Sequence, residues 1–292
     1  MKKQLFYIAL ALSIVSCQKD DGQDPAPAGN NTGGLNSIPE TFTQKVLLEA
    51  FTGAGQPQCT DGFVKMDNII TANSSKAIPV CIHYSDGMEI AQYTSLSGTY
   101  SNGNPMTIPS AMLNRTASLS QVILNRTQWQ SNFDVLKVKT AKCGLAIETG
   151  INGTTANISV HTGFNQALTG NYTLTVYLLE DNVSGTGVMY DQRNSYNTTT
   201  GHPYYGLGDP IAGFQHDNVL RKVLSAPLGD AISTSALVHG GGEIKTYSTS
   251  ISGYKSGDLS VVAFITKNGA SATTYEIMNV QKVQLGNTKS WD

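Results

Sequence analysis

Lys45-Val-Leu-Leu-Glu-Ala-Phe-Thr-Gly-Ala-Gly-Gln-Pro-Gln-Cys59 is the stretch whose reading decides the fold. Lys45 to Phe51 is a short apolar run of strand length, the pattern of a buried strand. A turn follows over Thr52–Gln58 and delivers a cysteine to the start of a helix expected from about Thr60 to Ala72. Phe63, Met66, Ile69 and Ile70 fall on one face of that helix. Ala77 to Tyr84 is a second, almost wholly apolar strand, as expected in a sheet covered on both faces.

The chain beyond is less regular at first. A helix is expected around Glu89–Ser97, then a strand over Thr107–Asn114 that is entered through Pro109. Leu119 to Phe133 reads as a second long amphipathic helix, with Val122, Ile123, Trp129 and Phe133 inward. Near Val135 the character changes. Val138–Ile147, Thr155–His161, Tyr172–Leu179, Ile244–Ile251, Leu259–Thr266 and Tyr275–Val283 alternate apolar and polar residues with period two, and Gly, Asn and Asp punctuate the gaps. Antiparallel strands with no helix between most of them indicate an all-β, Ig-like sandwich. The expected organisation is an α/β domain over 41–136 followed by an antiparallel β-sandwich over 137–292.

The chain has 292 residues, a formal net charge of −2 and only 14% charged side chains, which leaves no electrostatic footprint for nucleic acid. The place of the missing charge is taken by Gly, Thr, Ser and Asn, a balance common in extracellular β-rich proteins. Met1 to Asp21 gives an address. Lys2 and Lys3 form a basic start, and Leu5 to Val15 is apolar except for Ser13. That length suits a signal-peptide core and falls short of the roughly 20 residues that span a bilayer. Ile14-Val15-Ser16-Cys17 resembles a lipobox, which implies a signal peptide over 1–16 and lipid on Cys17. Gln18-Lys19-Asp20-Asp21 resembles the acidic signal that sends Bacteroidetes lipoproteins to the outer face of the outer membrane. Residues 17–40 read as a lipidated flexible tether rich in Gly, Pro, Asn and Asp. With Cys17 lipidated, Cys59, Cys81 and Cys143 remain, so at most one internal disulfide forms and the folded part rests on apolar packing.

Strand, cysteine-bearing turn, helix, strand, then Ile108-Pro109 entering another strand is the order of a thioredoxin-like domain. Phe51-Thr52-Gly53 with Cys59, the Ala111-Met-Leu-Asn-Arg115 strand end, and His216-Asp-Asn-Val-Leu-Arg221 resemble the outer-membrane-protein-28-related surface lipoproteins of Bacteroidetes. The family pattern is aromatic-Thr-Gly-x-x-Cys-x-x-Cys. Laid on this chain, Cys59 is the second cysteine and Gln56 stands where the first belongs. Pro109 would be the cis-proline facing the turn. In a Cys-x-x-Cys site the first thiol attacks and the second resolves, and exchange needs both. The departure at Gln56 therefore implies a redox-dead scaffold. Cys59 is a quiet buried thiol, a partner for Cys81, or a reactive monothiol. Cys143 reads as a buried thiol.

Other constellations carry little. His83 ends an apolar strand and reads as a satisfied core histidine. His161, His202, His216 and His239 are scattered without metal-ligand spacing. No phosphate loop, nucleophile elbow or calcium loop is present. No catalytic residue, metal or cofactor is assigned. The long insertion Asn182–Phe214 carries Tyr190, Arg193, Tyr196, Tyr204, Tyr205 and Phe214 among Gly, Asn and Thr, the composition of an adaptable recognition surface or of rings capping the sandwich. The expected protein is an outer-membrane surface lipoprotein that binds a protein or glycan, or serves as a structural module. The alternative is an envelope thiol-disulfide oxidoreductase or thiol-dependent chaperone using Cys59.

Overall fold

Val46 to Thr52 form strand β1, and all seven residues are buried. The computed structural model describes residues 35, 37–101, 106–118, 120–271 and 274–292. The signal segment 1–16, Cys17, the Gln18–Asp21 tetrad and most of the tether lie outside the described residues. After β1 come α1 (Cys59–Ala72), β2 (Ala77–His83), α2 (Tyr93–Ser101), β3 (Ser110–Leu113), β4 (Leu124–Asn125) and α3 (Trp129–Leu136). The all-β part follows: β5 (Cys143–Asn152), β6 (Thr155–Phe164), β7 (Asn171–Glu180), β8 (Val219–Val223), β9 (Asp230–Ala231), β10 (Gly242–Ser250), β11 (Leu259–Asn268), β12 (Glu276–Gln284) and β13 (Thr288–Lys289).

The strands make two sheets. One runs β12-β11-β7-β8-β2-β1-β3-β4, with β9 on β7, and the other runs β10-β6-β5-β13. β1 and β2 pair in parallel, in register from Val46↔Ala77 to Thr52↔His83, so both strands end at the same edge. β8 joins β2 in parallel at Cys81↔Val219 and turns the sheet over to antiparallel β7. Side-chain alternation then sorts the core. Val46, Leu48, Ala50 and Cys81 face α1 and α3, where Met66, Ile69, Trp129 and Phe133 fill the layer. Leu47, Phe51, Val80 and Ile82 face α2 and continue into Tyr177, Leu179, Val262 and Phe264. Leu174, Val176, Leu178, Val261 and Ile265 take the opposite side, against Leu145, Ile147, Ile158 and Val160 of the smaller sheet.

These layers correct two expectations. The large sheet crosses residue 136 without interruption, and Leu35–Asp292 form one compact unit. The expected boundary marks a change in covering layer, from helices to a second sheet, not a gap between separate cores. The 137–292 sandwich is consequently not self-contained, because one of its layers is the outer half of the mixed sheet. Its two-layer, β-rich packing is as expected.

A buried ionic cluster ties the halves together. Arg115 grips Glu49 through two bonds of 2.8 Å and also donates to the Tyr100 hydroxyl at 2.6 Å and the Tyr177 hydroxyl at 3.0 Å. The guanidinium lies 4.9 Å from the Phe264 ring centre. β1, α2, β7, β11 and the end of β3 thus meet on one charge.

The helix expected over Leu119–Phe133 is shorter and later. Asn125 caps a single 3-10 turn, accepting from the Thr127 N–H while the Gln128 side chain accepts from the Asn125 N–H. That capping box ends the extended segment, where Val122 and Leu124 are already buried, and α3 begins only at Trp129. The helix expected around Glu89–Ser97 likewise begins at Tyr93.

Candidate functional site

Thr52 and His83 end the parallel pair side by side, and the Gly53–Gln58 turn folds over that edge. Two consecutive tight turns shape it, with the Gln56 N–H bonded to Gly53 O and the Cys59 N–H to Gln56 O, both at 3.0 Å. Cys59 opens α1 and is wholly buried. Ile108–Pro109 is cis. Pro109 lies against α1 one turn past Cys59, where a side chain on Gly62 would meet the proline Cβ at 3.0 Å. Gln56 is half-buried. Cys59, Cys81 and Cys143 are all unpaired, buried thiols.

Beneath the turn is a polar pocket of packed side chains. The Asp86 carboxylate receives the Ala54 N–H at 2.8 Å, the Met88 N–H at 2.8 Å and the His83 Nδ1 proton at 2.7 Å. Burial alone would raise its pKa, but these three donors outweigh it and hold the acid below its ordinary value. The His216 ring stands 5.2 Å from that of His83 and donates from Nε2 to Tyr190 O at 2.8 Å. Burial and the neighbouring His83 lower the His216 pKa to about 4, so the ring is neutral at physiological pH. Among the described residues, His83 Nε2, His216 Nδ1 and Gln192 Oε1 are buried without a hydrogen-bond partner. His83 is thus only half satisfied, against expectation.

The long insertion closes the site from above. Arg193 N–H bonds to Ala54 O and Ser195 N–H to Pro57 O, both at 2.8 Å. The Gln192 amide, itself fully buried, donates to Gln56 O at 3.1 Å and Gly53 O at 3.5 Å. Asn194 Oδ1 sits 3.4 Å from the Thr60 hydroxyl at the first turn of α1. Residues 192–195 therefore form a strap across the turn. Burial pushes the Cys59 thiol up to about 11, so at neutral pH it is a thiol and not the thiolate that attacks disulfides.

Five of the six side chains expected to form a binding loop are spent holding this strap. Tyr190 lies flat where Gly87 and Gly185 leave room, a Cβ at Gly87 falling 2.5 Å from the ring. Arg193 forms a forked pair with Asp209 at 2.7 and 3.1 Å. Tyr196 stacks on His202 at 4.1 Å and accepts from Arg126, Tyr204 leans on Phe214, and Phe214 stacks on Phe63 of α1 at 5.6 Å. Tyr205 projects, 51% exposed, and the Arg193 side chain is half exposed beside Asp209. Sequence reading missed Asp86, Gln192 and Asn194, and no local signal marks them: each is a polar residue in a polar loop.

No curated protein matches the chain. Among solved structures, HBP35 of Porphyromonas gingivalis is similar at 17% identity, over 86% of this chain and 78% of its own, with a TM-score of 0.66. A protein of Agrobacterium tumefaciens known by its crystal structure is similar at 14% identity, over 84% of this chain and 96% of its own, with a TM-score of 0.52. These likenesses concern the fold. Among the described residues no helix is long and apolar enough to cross a membrane. The family model of the outer membrane protein Omp28 matches residues 97–289, about two thirds of the chain, and the chain belongs to that outer-membrane family.

Proposed function

We propose that this protein is a lipid-anchored component of the outer-membrane surface. In this reading its thioredoxin-like half is a non-catalytic scaffold, and it acts as a binding or structural module for a protein or glycan. One observation carries the proposal: Cys59 is the only cysteine of the 53–59 turn, wholly buried, and strapped over by residues 192–195. Thiol exchange is blocked twice, first because Gln56 cannot form or resolve a mixed disulfide, and second because no substrate sulfur reaches Cys59. The strand–turn–helix order and the likeness to HBP35 support the thioredoxin-like reading. The Cys17 anchor and the Gln18–Asp21 export signal rest on the sequence. The oxidoreductase alternative would need an accessible, low-pKa thiol, and Cys59 is neither.

The test is insulin-disulfide reduction by the purified chain with dithiothreitol as electron donor. Wild type and Cys59→Ser are expected to match the uncatalysed rate. Turnover by wild type that disappears in Cys59→Ser would establish the oxidoreductase instead.

A further inference from the structure

At the opposite end of β1 from the strap, a cleft of about 630 Å³ opens between the α1–β2 junction and strands β12 and β13. Such a volume lies within the range of small-molecule sites. We propose that this cleft binds an oxyanion, a carboxylate or phosphate group carried by a small ligand.

Three lysines, Lys45, Lys282 and Lys289, line the cleft, but burial and the nearby Lys289 lower the Lys45 pKa to about 7, so the positive charge rests mainly on Lys282 and Lys289. Asp292 is the one carboxylate among the lining side chains. Lys45 is 95% buried, a position that lysine avoids without a partner. Asp292 already illustrates what the site accepts. Its carboxylate takes Lys45 Nζ on one oxygen, with Gln281 Nε2 at 3.1 Å, and Lys289 Nζ at 2.8 Å on the other. One carboxylate therefore serves two ammonium groups, and the third is left over. Lys282 Nζ donates to the Asn218 side-chain oxygen at 2.8 Å, and no carboxylate among the described residues lies within ion-pair distance of it.

An ammonium group has three donors, and the bond to Asn218 uses one of those of Lys282, a residue of the cleft lining. Burial holds this amine below its ordinary value even though Asp181 and Asp217, further off, pull the other way. An anion entering the cleft would relieve that cost and also meet the Lys289 charge. The hydroxyls of Ser74 and Ser75 on the cleft wall add uncharged donors at its rim. Charge excess, burial and room thus converge at one place, remote from the strapped turn and independent of its redox state.

The experiment is calorimetric titration of the purified full chain, at fixed ionic strength, with inorganic phosphate, malonate and chloride. Saturable one-to-one binding of phosphate or malonate, and none of chloride, is expected; whichever oxyanion binds more tightly names the ligand class. Lys282→Met should weaken that binding by about tenfold or more, as loss of a charge-assisted contact does. Lys289→Gln, at a side chain 41% exposed, should weaken it in the same direction. Heats that never saturate, or equal affinity in wild type and in the folded variants, would overturn the proposal.

Discussion

The two buried charge clusters of the large sheet differ in how completely they are satisfied. Around Arg115, both Glu49 oxygens and the Tyr100 and Tyr177 hydroxyls are bonded, and every partner is inside the protein. Around Asp86, the carboxylate is saturated but His83 Nε2, His216 Nδ1 and Gln192 Oε1 have no partner among the described residues. Buried polar groups are normally paired, since an unmade bond costs about 1–3 kcal/mol. The first cluster is therefore a structural fastener. The second is equally packed but keeps residual hydrogen-bonding capacity beneath the strap.

The sharpest way to break this comparison is to cut the fastener. Arg115→Met leaves Glu49 buried and unpaired, and should destabilise the chain by about 3–5 kcal/mol in denaturant unfolding. A loss below about 1 kcal/mol would mean that the cluster tolerates water and does not bind the halves together.

The second cluster should answer to pH. The His216 pKa is lowered in the folded chain to about 4, from an ordinary 6.5. The unfolded chain takes up the proton first, so stability is intact above pH 6.5 and falls as pH drops towards 4. At roughly 1.4 kcal/mol per pH unit the loss approaches about 3 kcal/mol. His216→Gln should flatten that limb of the stability–pH curve. An unchanged slope would place the acid sensitivity elsewhere.

A much smaller effect is expected for an exposed ion pair. Lys139 and Glu276 meet at 3.0 Å with 45% and 41% of their side chains exposed, and Lys139→Ala should change stability by less than about 1 kcal/mol. A larger loss would show that exposure is a poor guide to which charges matter here.

Much of the frame was legible in the sequence. Val46–Phe51 and Ala77–His83 are apolar enough that only a doubly covered strand suits them, and Met66 and Ile69 mark the inner face of α1. The antiparallel strands announced themselves by alternation. β8 did not, because Val219–Val223 is short, partly exposed beyond Leu220, and joins β2 through one residue pair. That strand carries the large sheet from one half to the other, so without it the change of pattern near residue 136 reads as a domain boundary. The strap was illegible for a different reason. Gln192 and Asn194 look like solvent-facing loop residues, and only the backbone carbonyls and the Thr60 hydroxyl they meet across the fold make them buried. The loop's aromatic content was visible, but its direction was not. The cleft lysines are likewise far apart in the chain: Lys45 stands just before β1, and Lys282 and Lys289 follow on β12 and β13 more than 200 residues later.

Alkylation of Cys59 in the native chain, followed by mass spectrometry of its peptide, tests most directly whether the turn is sealed. With the strap intact, Cys59 should label as slowly as buried Cys81 and Cys143, at a rate set by opening of the fold. Asn194→Ala, which removes the contact to Thr60 and the bonds to Tyr204 O and Gly208 O, should speed Cys59 alone. Labelling of native Cys59 at the rate of an exposed thiol, with Cys81 and Cys143 still protected, would contradict the account.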